Sequence, residues 1–236
     1  MNDPRWLEVI RLILALLPTA DQCFEQLKQV IDHSIWTDPV LSPLVGMLTP
    51  KALSIQSPYP AAAVRSFYFG LIFVRDLNLV SLIIPGMVSN LYPEMALDLY
   101  LVRLYEQSTA FTTNPQADTL INLALTFDLE NRFSLSPSLK SGLRTLRLDL
   151  VNALQEPESI APWWQTTGST WQQTLTQLLQ AERQLPIGGT LTSEQRQKLQ
   201  QYYTNNLFLL QSLNGDCRVS PPAKDQLIAE ILLTPA

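Results

Sequence analysis

Few side chains in this sequence could do chemistry, and those few are scattered. The single histidine, His33, has no second His or Cys nearby. It therefore lacks a partner for binding a metal and a nucleophile to activate. Near the end of a helical stretch, its cationic form would suit the negative end of the helix dipole. The two cysteines, Cys23 and Cys217, lie far apart and make neither a disulfide framework nor a zinc spacing. Cys217 follows a glycine turn with Arg218 as its one basic neighbour, and is expected to be a buried packing thiol rather than a low-pKa nucleophile. Glu94 and Asp98, four residues apart, could share a helix face as an acid–base pair, but a solvated face is the commoner use of that spacing. Trp163, Trp164 and Trp171 could form an aromatic platform for a ligand; packed core or an interdomain seam is the expected reading.

The established motifs of catalysis are missing. No Gly-x-x-x-x-Gly-Lys-Ser/Thr loop is present, and eight glycines with no Gly-rich turn into a helix leave no phosphate cradle. Gly-x-Ser-x-Gly is also absent. One histidine leaves little room for a Ser-His or Cys-His pair. The expectation is no catalytic, cofactor-binding or metal-binding residue, no cofactor, and no enzyme activity.

Composition narrows the partners. The 236 residues are 46% hydrophobic and only 16% charged, against about 25% charged in an ordinary soluble domain. Either some apolar surface is kept for a partner, or a large helical core carries a Gln/Ser/Thr-rich surface. The net charge of −5 and the lack of a Lys/Arg cluster argue against nucleic acid. The longest uncharged run, Leu77 to Tyr92, is interrupted by Asn78, Pro85, Gly86 and Asn90, and reads as a buried helix plus a break rather than a membrane span. No secretory signal pattern opens the chain, and cytoplasmic thiols fit the cysteine usage.

The elements that must position these residues read as helices. Asp3-Pro4 starts the first, with Trp6, Ile10, Ile13, Leu14 and Leu17 on one face. Thr19 with Gln22 predicts a capping box for the second, whose apolar face is Cys23, Phe24, Leu27, Val30 and Ile31. Asp38-Pro39 starts a short helix through Leu41, Leu44, Val45 and Leu48, and Thr49 to Pro60 reads as a proline-rich loop. From Ala61 to Asp149, Asp/Asn-Leu-rich segments (64–79, 97–104, 121–129 and 146–150) look like decayed copies of one unit. Their local alternation has period two. Their length, their Leu, Ala and Arg content, and the helix starts at Pro93-Glu94, Asn114-Pro115 and Ser136-Pro137 favour helix over strand. Glu156-Pro157-Glu158 and Pro186-Ile187-Gly188-Gly189 read as linkers, and Thr192 with Gln195 caps a long last-but-one helix. The expected fold is all-α, with helical hairpins stacked as an irregular α-solenoid or bundle, ending in a C-terminal helix-turn-helix pair. The expected domains are a repeat-like region, 1–155, and a C-terminal helical domain, 156–236. In the closing corner, Gly215 is expected in the left-handed conformation that ends a helix, and Ser220-Pro221 starts the next.

That C-terminal stretch carries the most specific pattern: Tyr202, Tyr203, Asn206, Leu209, Leu213, Asn214, Cys217, Val219, Ser220, Leu232, Leu233 and Pro235. It resembles the C-terminal helical domain of bacterial NACHT conflict-system proteins, especially cyanobacterial ones. These are STAND-type NTPases, similar in organisation to animal NOD-like receptors and implicated in defence against phage. Trp6 to Val9, Thr19 to Asp21, Lys28 to Asp32, Tyr59 to Tyr68 and Trp163-Trp164 before Trp171 extend the resemblance upstream. Ser212 stands where the family often has Cys, Lys224 where it has Arg, and Thr234 where it has a third Leu. The NACHT ATPase core is not in this sequence. The resemblance implies a non-catalytic sensor or interaction module, acting with a NACHT-type ATPase subunit or a phage-derived trigger as protein partner. An enzyme with an unrecognised site around Trp163, Trp164 and His33, or an inactive remnant of a split NACHT gene, are the alternatives.

Overall fold

From Ala61 to Phe69 the chain offers no polar stripe wide enough to face water. In the computed structural model it forms a helix in which every residue from Ala62 to Leu71 is buried, as a helix apolar on all sides must be. The structure describes residues 4–111, 129, 132–155, 160–188 and 191–233. In chain order the helices are α1 (Pro4–Leu16), α2 (Asp21–Trp36), α3 (Leu41–Gly46), α4 (Leu48–Ser54), α5 (Ala61–Phe69), α6 (Asn78–Ile83), α7 (Pro93–Phe111), α8 (Pro137–Ala153), α9 (Ile160–Trp163), α10 (Ser169–Arg183), α11 (Ser193–Leu213) and α12 (Pro221–Ala229). Single π-helical turns, Gly70–Val74 and Trp164–Gly168, extend α5 and join α9 to α10. Among the described residues there is no strand. The period-two segments at 97–104 and 146–150 are helical, as the helix propensities of Leu, Ala and Arg favour, and the one at 64–79 is helical except for a break at 75–77, where Arg75 has φ +60°. The copy at 121–129, apart from Leu129, and the starts at Asp3 and Asn114-Pro115 lie outside the described residues.

The chain makes two compact units, Met1–Leu91 with Thr190–Ala236, and Tyr92–Gly189. The division expected at 155/156 falls inside the second unit, and linker residues 156–158 lie outside the described residues. In the first unit α11 packs on α2, α6 and the turn after α5, while α4 and α6 also pack on α5. Phe69 stacks on Tyr203, with ring centroids 6.1 Å apart, and tilts against Tyr202 at 5.8 Å. In the second unit α10 packs on α7 and α8. Trp171 is buried, and its indole N–H donates to the Leu146 carbonyl at 3.0 Å. Trp164 is also core, 5.9 Å from Trp171, and a Cβ on Gly168 would stand 2.5 Å from its ring.

Several local expectations hold at the atomic level. The Asp38 carboxylate accepts from the Val40 and Leu41 amides at 3.0 and 3.1 Å and caps α3. Ser136 caps α8 in the same way, and Thr192 with Gln195 closes a full capping box on α11. In 77–92 a helix and a break form as expected, with α6 ending before Gly86 at φ +82°, but the helix is only partly buried, through Leu79 and Val80.

Others are corrected. Thr19 and Gln22 form no capping box, because Ala20 is the residue before α2 and its amide donates to the Arg218 carbonyl. The loop from Thr49 to Pro60 is helical as far as Ser54, since Pro50 falls in the first turn of α4, where no amide donor is needed. Leu185, Pro186 and Ile187 are buried rather than a free linker, and Gln180 donates to the Ile187 carbonyl at 2.6 Å. Gly215 is outside the left-handed region, and Asn214 ends α11 in a right-handed conformation. The expected closing pair is present, α11 and α12 following each other across a turn, and α12 packs on α2 and α5.

Candidate functional site

The sequence places apolar residues on every side of α1, and its neighbours cover little of them. Among the described side chains of α1 Leu14 is the buried one, at 4% exposure, and Arg11 lies over the Phe208 ring of α11 at 5.6 Å. Trp6, Val9, Leu12, Ile13 and Leu16 are exposed, Trp6 by 63% and Leu16 by 84%. Trp6, Val9, Ile13 and Leu16 follow steps of three, four and three residues. This is the seam spacing by which one helix receives another. The expected face of Trp6, Ile10, Ile13, Leu14 and Leu17 is thus rotated: Leu14 points inward, and Trp6 and Ile13 point outward. An exposed apolar face of this kind, with the charged Glu8 and Arg11 elsewhere on the helix, has the composition of a protein-binding surface.

Behind it, the interior of the first unit holds charges the sequence reading missed. The buried face of α2 is Phe24, Lys28, Ile31, Asp32 and Ile35, whereas Cys23 and Val30 are exposed. Lys28 pairs with Asp32 one turn on, and the Tyr202 hydroxyl donates to the other Asp32 oxygen at 3.1 Å. Burial pushes the Lys28 ammonium down and the Asp32 carboxyl up, each against the attraction of its partner. The Tyr202 phenol is raised by burial and then by Asp32. Lys51, buried on α4, lies 4.9 Å from the Tyr68 ring centroid. Arg65 of α5 is buried and donates to the carbonyls of Ala229 and Ile231. The available signal was positional, since Lys28 and Asp32 fall on the helical repeat of Phe24, Ile31 and Ile35.

These groups do not make a catalytic constellation. Lys28 and Asp32 neutralise each other within one helix, and Tyr202 spends its proton on Asp32. His33 is exposed on α2 and belongs to the first unit, while Trp163, Trp164 and Trp171 belong to the second. Asp98 departs from the expected solvated face. It is fully buried and accepts from Arg183 at 2.7 Å, with Glu94 3.8 Å from the same guanidinium. Cys217 is half-buried, and burial followed by Asp216 raises its thiol, the opposite of activation. A cleft of about 290 Å³ between α8 and α10 is lined by Thr145, Thr170 and Thr174, with Asp149 its one ionisable residue. The Thr145 and Thr174 hydroxyls donate to carbonyls of their own helices. Among the described residues no His/Cys/Asp/Glu group is placed to hold a metal ion, and no helix is long and apolar enough to cross a membrane.

Six residues of the C-terminal pattern are packed in the interior. Tyr202, Tyr203, Asn206, Leu209 and Leu213 form the buried face of α11. The Tyr203 hydroxyl accepts from the Leu79 amide at 3.0 Å and lies 2.8 Å from the Asp76 carbonyl. It thereby fixes the turn after Arg75, whose φ is +60°. Leu232 is buried, and Pro235 lies outside the described residues.

No curated protein and no solved structure matches the chain. Residues 139–235, somewhat under half of the sequence, match the family model NCH2, NACHT C-terminal Helical domain 2. Over that stretch, which takes in α8 to α12 almost whole, the protein is similar to the C-terminal helical region of NACHT proteins.

Proposed function

We propose that this chain is a non-catalytic helical interaction module, a sensor or restraint that acts through a NACHT-type ATPase in bacterial antiviral defence. The carrying observation is the exposed seam of Trp6, Val9, Ile13 and Leu16 on a helix that buries little else. A 13-residue helix is marginal on its own in water, and such a face gains most of its stability from a partner. The occupant proposed is a helix of the polypeptide that carries the NACHT ATPase. Support comes from the match of residues 139–235 to a domain named for its position C-terminal to NACHT. The acidic balance of −5 disfavours an anionic membrane or nucleic acid as the occupant.

The test is affinity capture of the tagged chain from its native cells, with and without phage challenge. Recovery of a NACHT-bearing ATPase is expected. Recovery of the chain alone, or of second copies only, contradicts the proposal, and recovery of a phage protein without the ATPase would move the partner from restraint to trigger.

A further inference from the structure

The last helix is fastened differently from the rest of its unit. Within α12 only Leu227 is buried, and the exposed Pro221, Pro222, Asp225 and Gln226 face solvent. Its two ends are held by polar bonds. At the start, the Asp21 carboxylate accepts from the Ser220 amide at 2.9 Å and from its hydroxyl at 2.6 Å, beside the Ala20 amide bond to the Arg218 carbonyl at 2.9 Å. At the finish, Arg65 donates through Nε to the Ile231 carbonyl at 3.1 Å, and through Nη2 to the carbonyls of Ile231 at 3.0 Å and Ala229 at 2.5 Å. The Ala229 carbonyl is one that the helix end leaves unpaired, and the Ile231 carbonyl belongs to the turn just beyond it. Between the two fastenings a cleft of about 230 Å³ stays open, with Ala61 and Ala62 of α5 facing Asp225 and Ile228 of α12. Beyond the helix, Ile231 and Leu232 plug the interior, and Leu232 does so at φ +55°, a conformation disfavoured for a residue with a branched side chain.

We infer that residues 217–233 are a releasable strap, latched by Asp21 at one end and Arg65 at the other, which opens as a unit while α2, α5 and α11 stay folded. Sparse apolar burial within α12 itself and backbone strain at Leu232 are the marks of a segment of low local stability. Opening has a chemical consequence. It removes Glu230, whose charge acts on Lys28 and Asp32, and takes from Arg65 its carbonyl acceptors. The groove left on α2 and α5 then presents a buried-type guanidinium and two aliphatic sockets. That chemistry fits the C-terminal end of an incoming helix followed by branched aliphatic residues. The inference does not depend on the ATPase partnership, since it concerns contacts inside the first unit.

Native-state hydrogen exchange on the full chain tests it. The amides of 223–233, which follow the two prolines that begin α12, should exchange together, at least 100-fold faster than those of α5 and the buried half of α11. Arg65→Met should raise the rate of 223–233 a further 10-fold or more and leave α5 unchanged. Should Arg65→Met fail to fold, the exposed-end variant Asp21→Ala carries the test with the same selective acceleration. Exchange of 223–233 at the rate of α5 in the wild-type chain, or equal acceleration of α5 and α12 in the variant, would overturn the strap.

Discussion

α1 and α5 are both apolar helices of the same unit, and they end in opposite environments. α5 buries every residue from Ala62 onward, and even Arg65 and Ser66 are enclosed. α1 buries Leu14 and leaves Trp6, Leu12, Ile13 and Leu16 in water. Hydrophobicity is similar; what differs is whether the rest of the chain supplies the cover. α5 is flanked by α4 and α6 and capped by α12. α1 has α11 alone among the well-packed pairs. An apolar face that the fold itself does not cover points to a cover from elsewhere.

Substitutions separate the two helices by effect. Phe67→Ala in α5 is expected to cost about 3–5 kcal/mol, the usual figure for emptying a fully packed aromatic site. Ile13→Ala in α1 is expected to cost about 0.5 kcal/mol or less. Chemical denaturation reads both, and equal losses would dissolve the contrast. Asp32→Ala, which strands the buried Lys28, is expected to cost about 3–5 kcal/mol, and Lys28→Met with Asp32→Leu together should recover most of it. Gly70→Ala comes next at about 1–3 kcal/mol, because its Cβ would stand 2.1 Å from the Asp76 carbonyl oxygen. By contrast Gly215→Ala should be nearly neutral, since its Cβ would meet the Gln211 carbonyl oxygen at an ordinary 3.4 Å. Melting temperatures rank the two glycines.

The smallest effect is on pH. Hydrogen bonds from the Ser220 side chain and then its amide lower the Asp21 carboxyl below 3.8. Its contribution to holding α12 is therefore complete above pH 3.8 and lost as the pH falls through the lowered value. Protection of the α12 amides relative to α5 should drop in that acid window in the wild-type chain, and Asp21→Asn should flatten the change.

Helix content was legible because Leu, Ala and Arg repeat over stretches too long for strands, and because Asp38, Ser136 and Thr192 carry their capping chemistry locally. What was not legible depends on contacts distant in sequence. Thr19 and Gln22 offer a good cap on paper, but the neighbouring Asp21 is drawn to Ser220, 199 residues away. Asp98 has the spacing of a solvated face and is buried because Arg183 meets it from α10. Gly215 sits at a helix end as a left-handed glycine would, but Asn214 and the turn that follows close the corner without positive φ. The candidate surface was half legible. The low charge fraction and the residues of α1 were visible, but which side faced outward was decided by Leu14 and by Arg11 on Phe208.

The most direct measurement compares the wild-type chain with the double variant Trp6→Asp/Ile13→Asp in affinity capture, with melting temperatures measured beside it. Both substitutions are at exposed positions, so the melting temperature should change little. The NACHT-bearing ATPase should be recovered with the wild-type chain and lost with the variant. Equal recovery by both, at matched stability, would contradict the claim that the open face of α1 is the partner surface.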